Sequence, residues 1–328
     1  MSQPFGNVPS TAKVLPTPFT VSIPAVKLEE LGTLIKLAKL APPTYENSRI
    51  DARYGVTTDW LKEYTPSTLP YHLIVPSLPG YAFSSGPPLD RNFGTKDIAR
   101  VLDQLMRNLG FESGYVAQGG DIGSRIVREL AVDYESCKAV HLNVTFMARP
   151  VGMTDDHLSD AEKRGVERLD EFKIFGSGYG IEHGTRPSTI GHVISTSPMA
   201  LLAWVGEKFL EWVDDPLSPE HILESITLYW LTDTFPRSIY TYRQNFPPPA
   251  IPGPNDPRWY IRKPFGFSSF PRELATLPRS WIETTGDLVY WGEHEKGGHF
   301  AALEQPEALK ADIVQFVEQV WPGFTGAN

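Results

Sequence analysis

Apolar positions along the 328-residue chain change their spacing several times, and the changes mark out elements. Phe19-Thr20-Val21-Ser22-Ile23 alternates apolar with polar, as a short strand does. Leu28, Leu31, Leu34, Ile35 and Leu40 then share one helical face, and Pro42-Pro43 stops it. Three compact apolar runs, Leu73–Val75, Tyr115–Gln118 and Ala139–Val144, read as buried strands. Between the first two, Ile98, Val101, Leu102, Leu105 and Leu109 recur at helical spacing, with Thr95 as cap and Gly110 as stop. A second helix is expected from about Ser124, after the tight turn Gly119–Gly123. Short apolar strands alternating with helices predict an α/β fold, a parallel sheet covered by helices.

The rhythm changes from about Arg149 to Arg243. That stretch is helix-rich and aromatic, with Trp204, Trp212, Tyr229 and Trp230, and reads as a helical insertion or lid. Ser218-Pro219 is a cap followed by a first-turn proline. Phe246–Pro257 is a proline-rich connector. The sheet then resumes with Lys263–Phe270 and Ser280–Thr285, and Pro306 opens a last amphipathic helix through Leu309, Ile313, Val314, Val317 and Val320. The chain so divides into an arm (1–61), a first core part (62–148), a lid (149–245) and a second core part (246–328).

Composition narrows the class. At 41% hydrophobic and 21% charged, the chain is not a disordered one. Thirty prolines and 27 glycines imply many sharp loops. A net charge of −9 repels a polyanion, so nucleic acid is not an expected partner. Cys137, the single cysteine, excludes an intramolecular disulfide and a multi-cysteine metal site. No apolar run reaches the roughly 18–20 residues that span a bilayer. Met1–Ser10 shows no cationic start followed by an apolar stretch, so the expectation is a soluble cytoplasmic protein away from membranes.

Two motifs carry chemistry. Gly119-Gly120-Asp121-Ile122-Gly123 has the layout of a nucleophile elbow, a strained turn with small neighbours between a strand and a helix. The central residue is aspartate. A carboxylate nucleophile suits attack on an sp3 carbon, as in an epoxide or alkyl halide, better than an ester or peptide. The competing reading is an Asp that merely caps the helix. Gly297-Gly298-His299-Phe300-Ala301-Ala302-Leu303-Glu304 puts His299 after the last strand and before the last helix, where a base histidine belongs. An acid should orient it. Glu273, after the penultimate strand, and Asp287, after the last, both qualify by chain order; the acid loop normally comes one strand before the His loop, which favours Glu273, although Glu273 could equally be a surface charge.

These two motifs, with Phe19–Pro24, Ala41–Glu46, Val75–Tyr81 and Thr185–His192, resemble the fungal soluble epoxide hydrolases related to microsomal epoxide hydrolase, over nearly the whole chain. The resemblance implies an α/β-hydrolase core, a helical lid and an N-terminal arm. It implies that Glu273 is the acid and that Tyr179 and Tyr242 are the lid tyrosines that hold the epoxide oxygen and supply a proton. Asp121 would attack a ring carbon to form an ester. His299, oriented by Glu273, would activate water against that ester, and the N–H of Ile122 would be one oxyanion donor. The product is a vicinal diol and no cofactor or metal is required. The substrate would be a small-molecule epoxide, and the class allows a homodimer. Detoxification, including aromatic hydrocarbon catabolism, and a step of secondary metabolism are both open. Phe172, Phe175, Trp204 and Trp230 suggest an apolar or aryl substrate.

The sequence departs from that family in one place. Its members carry a His-Gly-Trp-Pro-Gly stretch that supplies the second oxyanion donor. Here Tyr54–Leu61 resembles the end of the arm and Lys62–Pro66 already resembles the loop before the fourth strand. The reading is an internal deletion at Leu61–Lys62 that removes the first three strands. Leu73–Val75 is then expected to move beside Tyr115–Gln118 and bring the Pro76–Gly80 turn near the oxyanion. Turnover is expected to be weak or absent. Two alternatives stand beside an epoxide hydrolase: an Asp-nucleophile dehalogenase, and a non-catalytic remnant or truncated gene product.

Overall fold

The computed structural model describes residues 11–17, 19–27, 29–30, 33, 71–246 and 253–321. Their sheet has four parallel strands in chain order: β1 (Tyr115–Gly119), β2 (Cys137–Leu142), β3 (Ile261–Ser269) and β4 (Gly286–Glu293). Tyr115 pairs with Cys137, Val140 with Phe265, and Phe267 with Trp291. Helix α1 (Thr95–Asn108) and helix α2 (Asp121–Asp133) flank β1. Both faces are covered, which is why Val140, Leu142, Ile261 and Phe265 are buried and the strands read as apolar runs. Arg128 on α2 is buried too, and its guanidinium donates to the Trp259 and Thr285 carbonyls.

Between β2 and β3 lie helices α3 (Asp160–Glu171), α4 (Gly178–Thr185), α5 (Pro187–Ile194), α6 (Pro198–Glu211), α7 (Pro219–Leu231) and α8 (Thr234–Ser238). A π-turn, Phe172–Gly176, precedes α4, and a 3-10 turn, Ile239–Asn245, follows α8. This block has its own core of Ile190, Leu201, Phe209, Ile222 and Phe235. Ser218 caps α7 as expected, accepting from the His221 N–H. After β3 come α9 (Arg279–Ile282), then β4, then α10 (Ala301–Glu304) and α11 (Pro306–Val320). No helix among the described residues is long and apolar enough to cross a membrane.

Three expectations fail. Ser280–Thr285 is not a strand: it is α9 followed by a 3-10 turn, and the last strand is β4, one element later. The Thr284 and Thr285 hydroxyls donate back to the Trp281 and Ile282 carbonyls, which satisfies a helical turn despite the β-prone composition. Leu73–Val75 is not a strand either, and it does not pair with β1. Its residues are 50%, 36% and 82% exposed, and β1 is bonded to β2 alone among the described residues. The following loop is held by the helical block instead. Tyr240 donates to the Pro79 carbonyl, and Arg237 donates to those of Ala82 and Ser84. Gly80, at φ +89°, lies so close to Arg237 that a Cβ would sit 2.1 Å from its carbonyl oxygen. Finally, Phe19–Ile23 joins no ladder among the described residues; Phe19 packs on Phe83, and Lys27 pairs with Asp233 at 2.5 Å. The expected helix beyond it is helical at 25–27, 29–30 and 33. Leu28, Leu31, Leu34, Ile35, Leu40, the Pro42-Pro43 stop and the Leu61–Lys62 join lie outside the described residues.

Candidate active site

The elbow forms because its neighbours are glycines. A Cβ on Gly119 would lie 2.4 Å from the Gly123 carbonyl oxygen, and one on Gly120 would lie 2.7 Å from Asn143 Oδ1. Strand and helix therefore meet in a turn too tight for side chains. Asp121 sits at its apex with φ +44°, the left-handed region that a non-glycine residue occupies at a cost of about 1–3 kcal/mol. It does not cap α2: the cap position is Gly120, and no side-chain cap bond is made. The carboxylate is instead half exposed to a cavity of about 250 Å³, lined also by Ile122, Phe146, Phe172, Tyr179 and Tyr242. The Ile122 N–H belongs to the first turn of α2, where backbone donors lack intrahelical acceptors.

His299 bridges two acids. Its Nδ1 is 2.7 Å from Glu273 Oε1 and its Nε2 is 3.8 Å from Asp121 Oδ2. Glu273 is buried and its Oε1 also accepts the Leu274 N–H, while Oε2 has no hydrogen-bond partner. Asp287, the other acid left open by chain order, lies exposed on β4 and accepts from the Tyr260 hydroxyl. Burial disfavours a charged His299, yet Glu273 and then Asp121 outweigh it and push the imidazolium up to about 10.

The loop that carries His299 is anchored on the helical block. The His299 N–H donates to the Trp212 carbonyl at 2.8 Å, and the two rings meet edge to face at 5.1 Å. Glu304 accepts from the Asp214, Asp215 and Gly298 N–H groups, and Asp214 accepts from that of Gly297. The paired glycines have separate reasons. Gly297 adopts φ +111°, and a Cβ on Gly298 would lie 2.6 Å from the Trp212 carbonyl oxygen.

Opposite Asp121 stand Tyr179, on α4, and Tyr242, on the 3-10 turn, their rings edge to face at 5.9 Å. Burial first, and then the Asp121 carboxylate, hold the Tyr179 phenol above its ordinary value; burial and Tyr179 do the same to Tyr242. His183 packs edge on to both and accepts from Trp204 Nε1, and burial lowers it to about 4, so it is neutral. Of the four aromatics expected to shape a substrate pocket, Phe172 lines the cavity, Phe175 is 85% exposed, and Trp204 and Trp230 pack in the helical block. Lys208 has no local signal, and the contacts of Trp212 with His299 and of Glu304 with Asp214 and Asp215 span about 90 positions, so their roles here are not read from local spacing. No cluster of His, Cys, Asp or Glu among the described residues is arranged to hold a metal ion.

The family profile described as alpha/beta hydrolase fold matches residues 59–173. A Dothistroma septosporum protein assigned by name to the epoxide hydrolases is 36% identical, over 96% of this chain and 92% of its own length. Epoxide hydrolase 1 of Sus scrofa is 32% identical, over 75% of this chain and 60% of its own. The solved structure of Aspergillus niger epoxide hydrolase superposes with a TM-score of 0.87 at 48% identity, over 97% of this chain and all of that one. The chain belongs to the epoxide hydrolases of the α/β-hydrolase fold.

Proposed function

We propose that this chain opens a small, apolar or aryl epoxide to a vicinal diol through an ester on Asp121. One observation carries the reading: His299 lies between Glu273 and Asp121, and Asp121 shares its cavity with the two phenols Tyr179 and Tyr242. The phenols of Tyr179 and Tyr242 hold the epoxide oxygen and give it a proton while Asp121 attacks the ring carbon. Paired phenols suit an oxygen leaving group, which favours an epoxide over an alkyl halide. In the resting site Glu273, and after it Asp121, favour the protonated form of His299. Esterification removes the Asp121 charge, the imidazolium loses its proton more readily, and His299 becomes the base that activates water. The helical block acts as the lid over this chemistry.

The second half of the cycle is the weaker half. The ester carbonyl needs two oxyanion donors, and Ile122 supplies one. The missing family segment supports a slow second step. The alignment with the Dothistroma septosporum protein spans 395 positions, 67 more than this chain has residues, so at least that many positions of the relative face no residue here. Loss of one donor slows such a step by roughly 10²–10³. The ester should therefore accumulate. Mixing the protein with styrene oxide and following intact mass should show a one-epoxide adduct forming faster than diol is released. Absence of both adduct and diol sinks the assignment. Rapid diol release with no adduct build-up sinks the slow second step and leaves the assignment standing.

A further inference from the structure

Ring opening at this site moves a negative charge, and the structure holds a cation where the charge arrives. The Asp121 carboxylate forms a C–O bond, the ring C–O bond breaks, and the released oxygen takes the hydroxyl proton of a tyrosine. The carboxylate becomes a neutral ester and the tyrosine a phenolate, which water later reprotonates. A site that favours this step benefits from a fixed positive charge at the receiving end.

The Tyr179 ring has such a charge. Lys208 Nζ lies 4.6 Å from its centroid, and 5.6 and 5.7 Å from those of Trp204 and Trp212. The Lys208 side chain is 12% exposed, stands in the last turn of α6 and pairs with Glu207. Burial lowers its pKa and Glu211 opposes that. Among the other ionisable groups about Tyr179, Asp121 opposes a phenolate there, the Tyr242 hydroxyl favours one through its hydrogen bond, and His183 is neutral, so none of them brings a positive charge to the ring. The same three-ring box reaches the base, because the Trp212 carbonyl holds the His299 N–H.

We propose that Lys208 is a positioning residue for ring opening: its ammonium holds the Tyr179 ring in the Trp204–Trp212 box and stabilises the phenolate that proton donation leaves there. The inference rests on the epoxide-opening reading above. It makes Tyr179, rather than Tyr242, the principal proton donor of the pair.

The test uses ester formation alone, by intact mass in a single turnover, since His299 acts on the later step. Lys208→Met and Lys208→Gln should each form the adduct about 10-fold more slowly. The alkaline limb of that rate, set by loss of the phenol proton, should move to higher pH. Lys208→Arg should restore most of the rate and the original limb. The two uncharged replacements differ in polarity, and thermal melts show whether either disturbs folding; the one that melts like the parent carries the test. The proposal is overturned if the uncharged variants keep the parental rate and limb, or if Lys208→Arg is as slow as Lys208→Met. A parent protein that forms neither adduct nor diol from any epoxide overturns the functional reading, and this proposal with it.

Discussion

The two sides of the nucleophile elbow are built to different standards. On one side β2 and β3 are each bonded along both edges, β4 closes the far edge of the described sheet, and the His299 loop is tied down by Trp212, Asp214 and Glu304. On the other side β1 ends the described sheet, Leu73–Val75 joins no ladder, and a Cβ on Gly123 would meet nothing within 4 Å. On the proposed mechanism the cycle would divide along the same line. Attack by Asp121 and proton donation would draw on the well-built side and the helical block. Hydrolysis of the ester would draw on oxyanion donors, one of which the family resemblance places on the poorly built side. The proposal is therefore of a chain that keeps its alkylation machinery while its deacylation machinery is halved.

The largest effect comes from removing the group that both sides share. Asp121→Ala should abolish adduct formation, a loss on the order of 10⁴-fold or more. Residual adduct on the variant, located by peptide mapping, would mean that another nucleophile reacts and that the elbow is not the site.

Glu273→Gln tests the well-built side. Diol release should fall by roughly 10²–10³, because the imidazole loses the partner that orients it. Adduct formation should change much less. The pH dependence of stability has a definite sign. The His299 pKa is raised from an ordinary 6.5 to about 10, so the stabilisation from its pairing is complete below about 6.5 and is lost as pH rises through 10. Thermal melts of the parent should decline over that window, and those of Glu273→Gln should decline less. Equal slopes would show that the His299–Glu273 pair does not contribute.

Gly298→Ala is the packing counterpart. The added methyl would lie 2.6 Å from the Trp212 carbonyl oxygen and 3.0 Å from the Asp214 nitrogen, so the His299 loop must shift. A loss of about 1–3 kcal/mol is expected, read from denaturant melts, with diol release impaired along with it. An unchanged melt would show that the loop is less tightly tied than the hydrogen bonds imply.

What was legible in the sequence was what is local. Gly119-Gly120-Asp121 announces its turn because two adjacent glycines have no other economical use between an apolar strand and a helix. The Gly297-Gly298-His299 loop is legible for the same reason. Strand order favours Glu273 over Asp287, but it does not separate Glu273 from a surface charge, and it rests on a strand at Ser280–Thr285, where threonine hydroxyls in fact close a helical turn. Lys208 and Trp212 act on residues some 30 to 90 positions away, and no local pattern encodes that. Leu73–Val75 misled for a different reason. An apolar triplet is a strand only if a partner lies beside it, and pairing is a property of the sheet rather than of the triplet.

That last point gives the smallest effect and the sharpest test of the contrast. Val75 is 82% exposed in the described structure. Val75→Thr should then alter stability by no more than about 0.5 kcal/mol, as surface substitutions do. In a paired central strand the same change would bury an unpartnered hydroxyl in place of a methyl and cost about 1–3 kcal/mol. Chemical denaturation of the variant against the parent distinguishes the two outcomes. A shift above about 1 kcal/mol would mean that Leu73–Val75 has found a partner in solution. The edge of β1 is then the place to look for it, and the poorly built side would be better built than its exposed valine implies.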